Sequence, residues 1–190
     1  MALSDNIWWT RKSRIHTEKR LLKNAFHAQV ILLWYSIFSV FVAVYYLNFN
    51  IDSQYSGVAW VVFSVLVLVM SVFINGLGFK ERAALVKESY ETLNQLYHDA
   101  LLDKADIQSL NENYKQILSV CENHTDRDYT SALCTEYLNH PNPKNKETGL
   151  SKIPTKYNWF MYTVYLTKMF VFTIILYSLP IAVFAVIDCL

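Results

Sequence analysis

The sequence predicts an all-α integral membrane protein, with two or three transmembrane helices plus a cytoplasmic helical hairpin. Three stretches of spanning length carry no charged residue, the Lys and Arg residues segregate to one side of them, and the remaining segments repeat apolar residues at helical spacing. Composition points the same way: 53% of the 190 residues are hydrophobic and 17% charged, against roughly 25% charged in soluble domains. A net charge of +1, with 4 Gly and 4 Pro, excludes disorder, low complexity and a bulk polyelectrolyte partner.

The charge-free stretches are 27–47 (HAQVILLWYSIFSVFVAVYYL), 57–79 (GVAWVVFSVLVLVMSVFINGLGF) and 169–187 (MFVFTIILYSLPIAVFAVI). As helices they are about 31, 34 and 28 Å long, enough to cross a hydrocarbon core of roughly 30 Å. Backbone amides in lipid must be satisfied within the segment, so helix overrides the β-branched run VVFSVLVLV. The first stretch follows a polar segment and precedes no small-x-small cleavage site, so it reads as a span and not a signal peptide. Six of the 17 Lys and Arg fall in residues 1–24, none in 48–56 and ten in 80–158, with Lys168 the last. The positive-inside rule then places the N-terminus and 80–158 in the cytoplasm. If 169–187 spans, the tail Asp188-Cys189-Leu190 lies outside. Tyr45, Tyr46, Tyr55 and Trp60 gather at the outer turn, and Trp159, Tyr162 and Tyr165 precede the third stretch, positions suited to headgroup depth.

Residues 1–26 form a basic amphipathic segment, helical from 5 and continuous with the first span. Lys12, His16, Lys19, Arg20, Lys23 and His27 share one face, with Ile7, Leu21, Leu22 and Ala25 roughly opposite, beside Arg11, Arg14 and Glu18. The basic face either rests on anionic lipid, at about 1 kcal/mol per cation, or contacts a phosphate or nucleic acid with help from Trp8 and Trp9. After the second span the helix continues through KERAALVKESYETLNQLYHDALLDK, with Val86, Tyr90, Leu93, Tyr97, Ala100 and Leu101 as its apolar stripe. A break at 103–106 with an Asp N-cap opens the next helix, striped by Ile107, Leu110, Tyr114, Ile117, Leu118 and Cys121. The short connection makes the pair an antiparallel hairpin. Beyond it SALCTEYL (131–138) reads as one short helix and 139–156 as a loop containing Pro141, Pro143, Gly149 and Pro154.

Signatures of catalysis are missing: there is no Gly-rich phosphate loop, no G-x-S-x-G and no HExxH, so neither an enzyme nor a cofactor is expected. Cys121, Cys134 and Cys189 are isolated and read as reduced thiols. A glycosylation sequon, Asn123-His124-Thr125, lies on the cytoplasmic side. The densest polar run is ENHTDRDY (122–129), whose His124, Asp126 and Asp128 are the residue types of a metal or nucleotide site. The competing reading is a helix C-terminus and turn with Arg127 and Asp128 exposed, favoured because no second ligand cluster accompanies it. In the second span Gly57, Ser64, Ser71 and Gly78 recur every seven residues, with Asn75 four after Ser71, and the first span offers Ser36, Ser39 and Ala43. Small residues so placed make a packing seam or, on assembly, a pore wall. Lys168 is expected to snorkel to the cytoplasmic interface and Pro180 to kink the third span.

WWTRKSRIHTEKRLLKN (8–24) running into the first span, with ENHTDRDY after the helical pair, resembles the SLATT domain family, the SMODS- and SLOG-associating two-transmembrane effectors. Chain length and the ENH-x-x-x-DY stretch are similar to the subfamily encoded beside reverse transcriptases. The resemblance implies a membrane effector of bacterial anti-phage conflict systems, lodged in the inner membrane. A nucleotide-signalling enzyme or a reverse transcriptase would trigger it to perforate that membrane and kill the cell. It implies two spans, from which 169–187 departs, and carries over no catalytic residue. Two or three helices cannot enclose a channel alone, so a pore requires a homo-oligomer. The candidates for pore lining or helix packing are Ser36, Ser39, Ser64, Ser71 and Asn75. Those for gating or partner contact are Lys12, His16, Lys19, Arg20, Lys23, His124, Asp126 and Asp128. The alternative is a non-conducting anchor that recruits a cytoplasmic partner through 80–158, and a third reading is a membrane-bound hydrolase or nuclease using His124, Asp126 and Asp128.

Overall fold

A computed structural model describes residues 3–49, 56–102, 106–145 and 148–188. The expectations for Tyr55, Cys189 and the break at 103–105 lie outside the described residues. Six helices follow one another: α1 (Leu3–Phe49), α2 (Ser56–Gly76), α3 (Phe79–Asp99), α4 (Ile107–Ser119), α5 (Asp126–Asn139) and α6 (Lys156–Asp188). They divide into two units, one of residues 1–23 with 79–167 and one of 24–78 with 168–190.

The first unit is built around the start of α1. Ile7, Ser13, Arg14, Thr17 and Leu21 are fully buried there, at the three- and four-residue steps that define one helix face. That face is half polar, and it meets α3, α4 and α5. Ile7 packs with Leu93, Leu96 and Leu110, and Leu21 with Ala83 and Val86. Each such Leu or Val contributes about 1.5–3 kcal/mol by leaving water. Helices α3 and α4 pair as the expected hairpin, with Asp106 capping α4 by accepting a 3.0 Å bond from the Gln108 amide. Its inward stripe is Ala83, Val86, Ser89, Leu93 and Leu96, whereas Leu101 and Ile107, expected inside, are 56% and 68% exposed. Both flank the connection, where no facing helix is left to cover them.

Two boundaries depart from expectation. Helix α2 stops at Gly76 instead of running on, because Gly78 adopts φ 55, a left-handed conformation that ends helices and that side chains resist. Helix α5 begins at Asp126, ahead of Ser131, so ENHTDRDY is a helix N-terminus and not a helix C-terminus. Between α5 and α6 the expected loop is present. Gly149 is needed in it, since a Cβ there would meet the Asn145 carbonyl oxygen at 2.2 Å.

In the second unit, the later part of α1, α2 and the later part of α6 supply three helices long and apolar enough to cross a membrane. They meet through bulk: Phe38, Val42, Trp60 and Phe63 form the buried cluster, with Val183, Phe184 and Ile187 against it. Trp60 is 7% exposed and Tyr46 packs on the same cluster, so both serve helix packing where headgroup contact was expected.

Pro180 is buried inside α6, and its missing N–H would otherwise have bonded the carbonyl of Leu176. The Tyr35 hydroxyl replaces it at 2.8 Å, and the Trp34 indole N–H donates to the next carbonyl, Tyr177, at 3.1 Å. A carbonyl left bare in lipid has no water to turn to. Tyr35→Phe should therefore cost about 1 kcal/mol in the natural chain and close to nothing in a Pro180→Ala background. A double-mutant cycle by detergent unfolding reads the difference, and equal costs in both backgrounds would refute the pairing.

Candidate functional site

The polar residues of greatest interest converge where α1, α4 and α5 meet. Thr125 caps α5 by accepting from the Asp128 amide, and Asp128 reaches back to the Thr125 amide at 3.1 Å, a reciprocal capping box. The Asp128 carboxylate then accepts from the Thr125 hydroxyl at 2.8 Å and from Thr17 of α1 at 3.1 Å. Arg20 closes the set with a forked pair, Nε at 2.8 Å and the second guanidinium nitrogen at 3.0 Å. With Asp128 2% exposed, the expectation of an exposed Asp128 is overturned. Burial by itself raises the Asp128 carboxyl, but the bonds from Arg20 and Thr125 outweigh it and hold the carboxyl below the ordinary 3.8. The bond to Asp128 in turn raises the Arg20 guanidinium.

The basic face of α1 lies along the same junction instead of resting freely on lipid. Lys12 pairs with Glu136 of α5 at 2.8 Å, and Arg20 with Asp128. His16 is half-buried nearby and pushed below its ordinary 6.5, first by burial and then by Lys19, against the pull of Glu136 and Asp128. Lys19 and Lys23 remain exposed. Arg14, placed beside the apolar side by periodicity, is the buried cation of the unit. Its guanidinium donates to the carbonyls of Ile117 and Leu118 at 3.2 Å each. Those carbonyls belong to the last turn of α4, where that of Ile117 also takes the Val120 amide and a cation meets the negative end of the helix dipole. Arg82 and Glu122 form a further ion pair between α3 and the segment leading to α5.

His124, Asp126 and Asp128 do not converge. Asp128 spends its oxygens on Arg20, Thr17 and Thr125, Asp126 is exposed, and His124 turns its ring toward Tyr129 with centroids 6.4 Å apart. Among the described residues no three His, Cys, Asp or Glu side chains gather as a metal site. Cys121 and Cys134 are free thiols, and burial raises that of Cys134, which keeps it protonated and unreactive.

Of the span residues, the structure brings together Ser39 and Ser64, whose hydroxyls lie 2.7 Å apart. Ser36 and Ser71 bond carbonyls of their own helices, those of Leu32 and Leu68. Asn75 is exposed near the end of α2, and a Cβ on Gly57 would meet nothing, so neither belongs to a close helix seam within the chain. Residues that sequence patterning passed over are Ser13 and Thr17; the T-x-x-D spacing of Thr125 and Asp128 was the available signal for the cap.

Two consequences are measurable. Asp128→Ala strands Arg20 and should cost about 3–5 kcal/mol, whereas the paired replacement Arg20→Met with Asp128→Leu should recover much of that. Thermal unfolding in detergent followed by circular dichroism checks this, and a loss under about 1 kcal/mol for Asp128→Ala would contradict it. His16 and His124 are both depressed in the folded protein, His124 by burial and then by Arg14. The unfolded chain therefore binds more protons just below 6.5, so stability is complete above that pH and falls as pH drops toward the folded values. The unfolding midpoint should decline from pH 7 to pH 5.5, and a His16→Gln, His124→Gln variant should flatten that decline.

Neither the curated proteins nor the solved structures contain a significant match to this chain. One family model does match, the SMODS and SLOG-associating 2TM effector domain family 5, and it covers residues 1–186. With three apolar helices and a match over nearly its whole length, the chain is a membrane effector and belongs to the SMODS and SLOG-associating 2TM effector domain family 5.

Proposed function

We propose that the chain is a non-enzymatic pore-forming effector that oligomerises in the bacterial inner membrane when a partner protein engages its helical unit. The observation that carries this reading is how little of the apolar helices one chain covers. In the most apolar window of each, no more than 11% is buried. Three helices packed through Phe38, Val42, Trp60 and Phe63 leave no lumen between them, so a conducting path needs several copies.

The exposed polar groups say where such copies would meet. Asn75 carries an amide on a helix whose other polar side chains are serines, four residues beyond Ser71. An amide facing lipid without a partner is costly, and it gains either from a second copy or from water in a pore. The N-terminus and residues 79–167 are assigned to the cytoplasm by the distribution of Lys and Arg. The partner is read as a nucleotide-signalling enzyme or a reverse transcriptase, and the basic side chains left exposed, Lys19 and Lys23, are its natural contacts. Partner binding that favours one arrangement of the helices shifts the population toward the open assembly.

Purified protein in liposomes, with and without the partner, provides the test. Flux of a small ion or dye supports the effector reading. Tight partner binding without flux would mean a membrane anchor that recruits an enzyme through 79–167 instead. A Ser71→Leu, Asn75→Leu variant should insert and express normally but lose at least tenfold in flux. Undiminished leakage from that variant would exclude this face of α2 as the lining.

A further inference from the structure

A cleft of about 190 Å³ opens nearer the N-terminus of α1 than Arg20, lined by residues of α1, α4, the segment before α5, α5 itself and the loop before α6. Its walls are aromatic and its contents cationic. Lys152 holds its ammonium 5.8 Å from the Trp9 ring centre and 5.6 Å from that of Tyr129. Among the described residues it pairs with no carboxylate, and no carboxylate lines the cleft. The loop that carries it is tied down: the Trp9 indole N–H donates to the Ser151 hydroxyl at 2.8 Å, and Ser151 donates to Asp5. Lys152 is thus a positioned cation whose N–H donors are unspent, since a ring face attracts the charge without accepting three hydrogen bonds.

Further donors face the same space. Thr10 and Tyr114 share one hydrogen bond at 2.7 Å, so whichever donates, the other hydroxyl keeps its proton for the cleft. His124 lines the cleft with its ring, and its Nδ1 lies buried beneath the surface without a partner, which costs stability. Asn6 adds a side-chain amide at the rim. The space equals roughly six waters at about 30 Å³ each, which exceeds one tetrahedral oxyanion and admits one small substituent. Several donors arranged around a cation, without an acidic wall, suit a ligand with many acceptor oxygens and a charge of −1 to −2.

We propose that this cleft binds a phosphate monoester group, gripped by Lys152, His124 and the Thr10–Tyr114 hydroxyl pair. The proposal stands apart from pore formation and would hold for a non-conducting anchor. Occupancy would also favour protonation of His124, which faces Arg14 from α1, Tyr114 from α4, Asp126, Asp128 and Tyr129 of α5, and Lys152 of the loop. An anion beside the ring offsets the repulsion from Arg14.

The test uses the full chain in neutral detergent, titrated with inorganic phosphate and with phenyl phosphate by isothermal calorimetry at constant ionic strength. Both should bind the natural chain, and Lys152→Ala should weaken both at least tenfold. His124→Gln, which keeps a donor but cannot titrate, should retain binding and lose the tightening of sulfate, a probe of constant charge, between pH 8 and pH 6. A parallel arm in nanodiscs distinguishes the source of the phosphate. Thermal stabilisation by phosphatidic acid over phosphatidylcholine, abolished by Lys152→Ala, assigns a lipid headgroup. Stabilisation by soluble phenyl phosphate alone assigns a small molecule. No heat of binding for phosphate or phenyl phosphate up to 10 mM, about −2.7 kcal/mol in affinity terms, together with no lipid preference, would overturn the site. Binding unchanged in a Lys152→Ala chain that unfolds at the same temperature as the natural one would overturn it equally.

Discussion

A single carboxylate, that of Asp128, joins elements from opposite ends of the chain. Its two oxygens receive the capping bonds that let α5 begin, the Thr17 hydroxyl of α1, and the fork of Arg20. Charge is essential to that arrangement: a neutral amide would have to turn a donor toward Arg20 or Thr125 and lose one of the bonds. Once Asp128 sets where α5 starts and which side it turns to α1, Glu136 two turns on meets Lys12, and Tyr129 comes to stand beside His124 and under Lys152. The cleft, the buried face of α1 and the pH response all depend on it.

The two units solve the same problem with different means. In each, a side chain from α1 supplies the hydrogen bond that a helix elsewhere lacks. Arg14 reaches the last carbonyls of α4, those of Ile117 and Leu118, where the helix ladder runs out of amides. Tyr35 and Trp34 reach the carbonyls of Leu176 and Tyr177 near the proline of α6. A guanidinium is affordable where water and dipoles share its charge; among apolar helices the donors are a phenol and an indole, which bring no charge into lipid. Elsewhere in the second unit many contacts are aromatic, Phe38 with Trp60, Phe63 with Trp60, and Phe184 with Phe38 and Trp60.

How far the sequence revealed this depends on which property was being read. Span length and helix type follow from charge-free runs, because lipid admits few backbone solutions, and three helices of the expected kind are present. The hairpin and the Asp106 cap were legible from periodicity and cap chemistry. Periodicity found part of the buried side of α1, grouping Ile7, Leu21 and Ala25 beside Arg14, and passed over Ser13 and Thr17, whose hydropathy suits a surface. Arg14 and Thr17 are buried because α4 and α5 offer acceptors to them, and no property of α1 alone records that. The same limit explains the placement of Asp128 in an exposed turn: its burial comes from Thr17 and Arg20, over a hundred positions earlier in the chain. Packing between apolar helices was legible in part: of the small residues expected at the seam Ser39 and Ser64 meet, and most of the other contacts are large rings.

The discontinuity of the first unit bears on how the chain is made. Its parts, residues 1–23 and 79–167, are separated by the apolar helix pair, so they can join only if an even number of crossings lies between them. A chain whose second apolar helix failed to cross would hold Arg14 and Arg20 on one face of the bilayer and their acceptors on the other. At roughly 5–20 residues per second of synthesis, the N-terminal segment waits tens of seconds or less for those acceptors to emerge. Assembly of the polar core is therefore tied to insertion of the membrane hairpin, since Arg14 and Arg20 reach their acceptors only when both apolar helices cross.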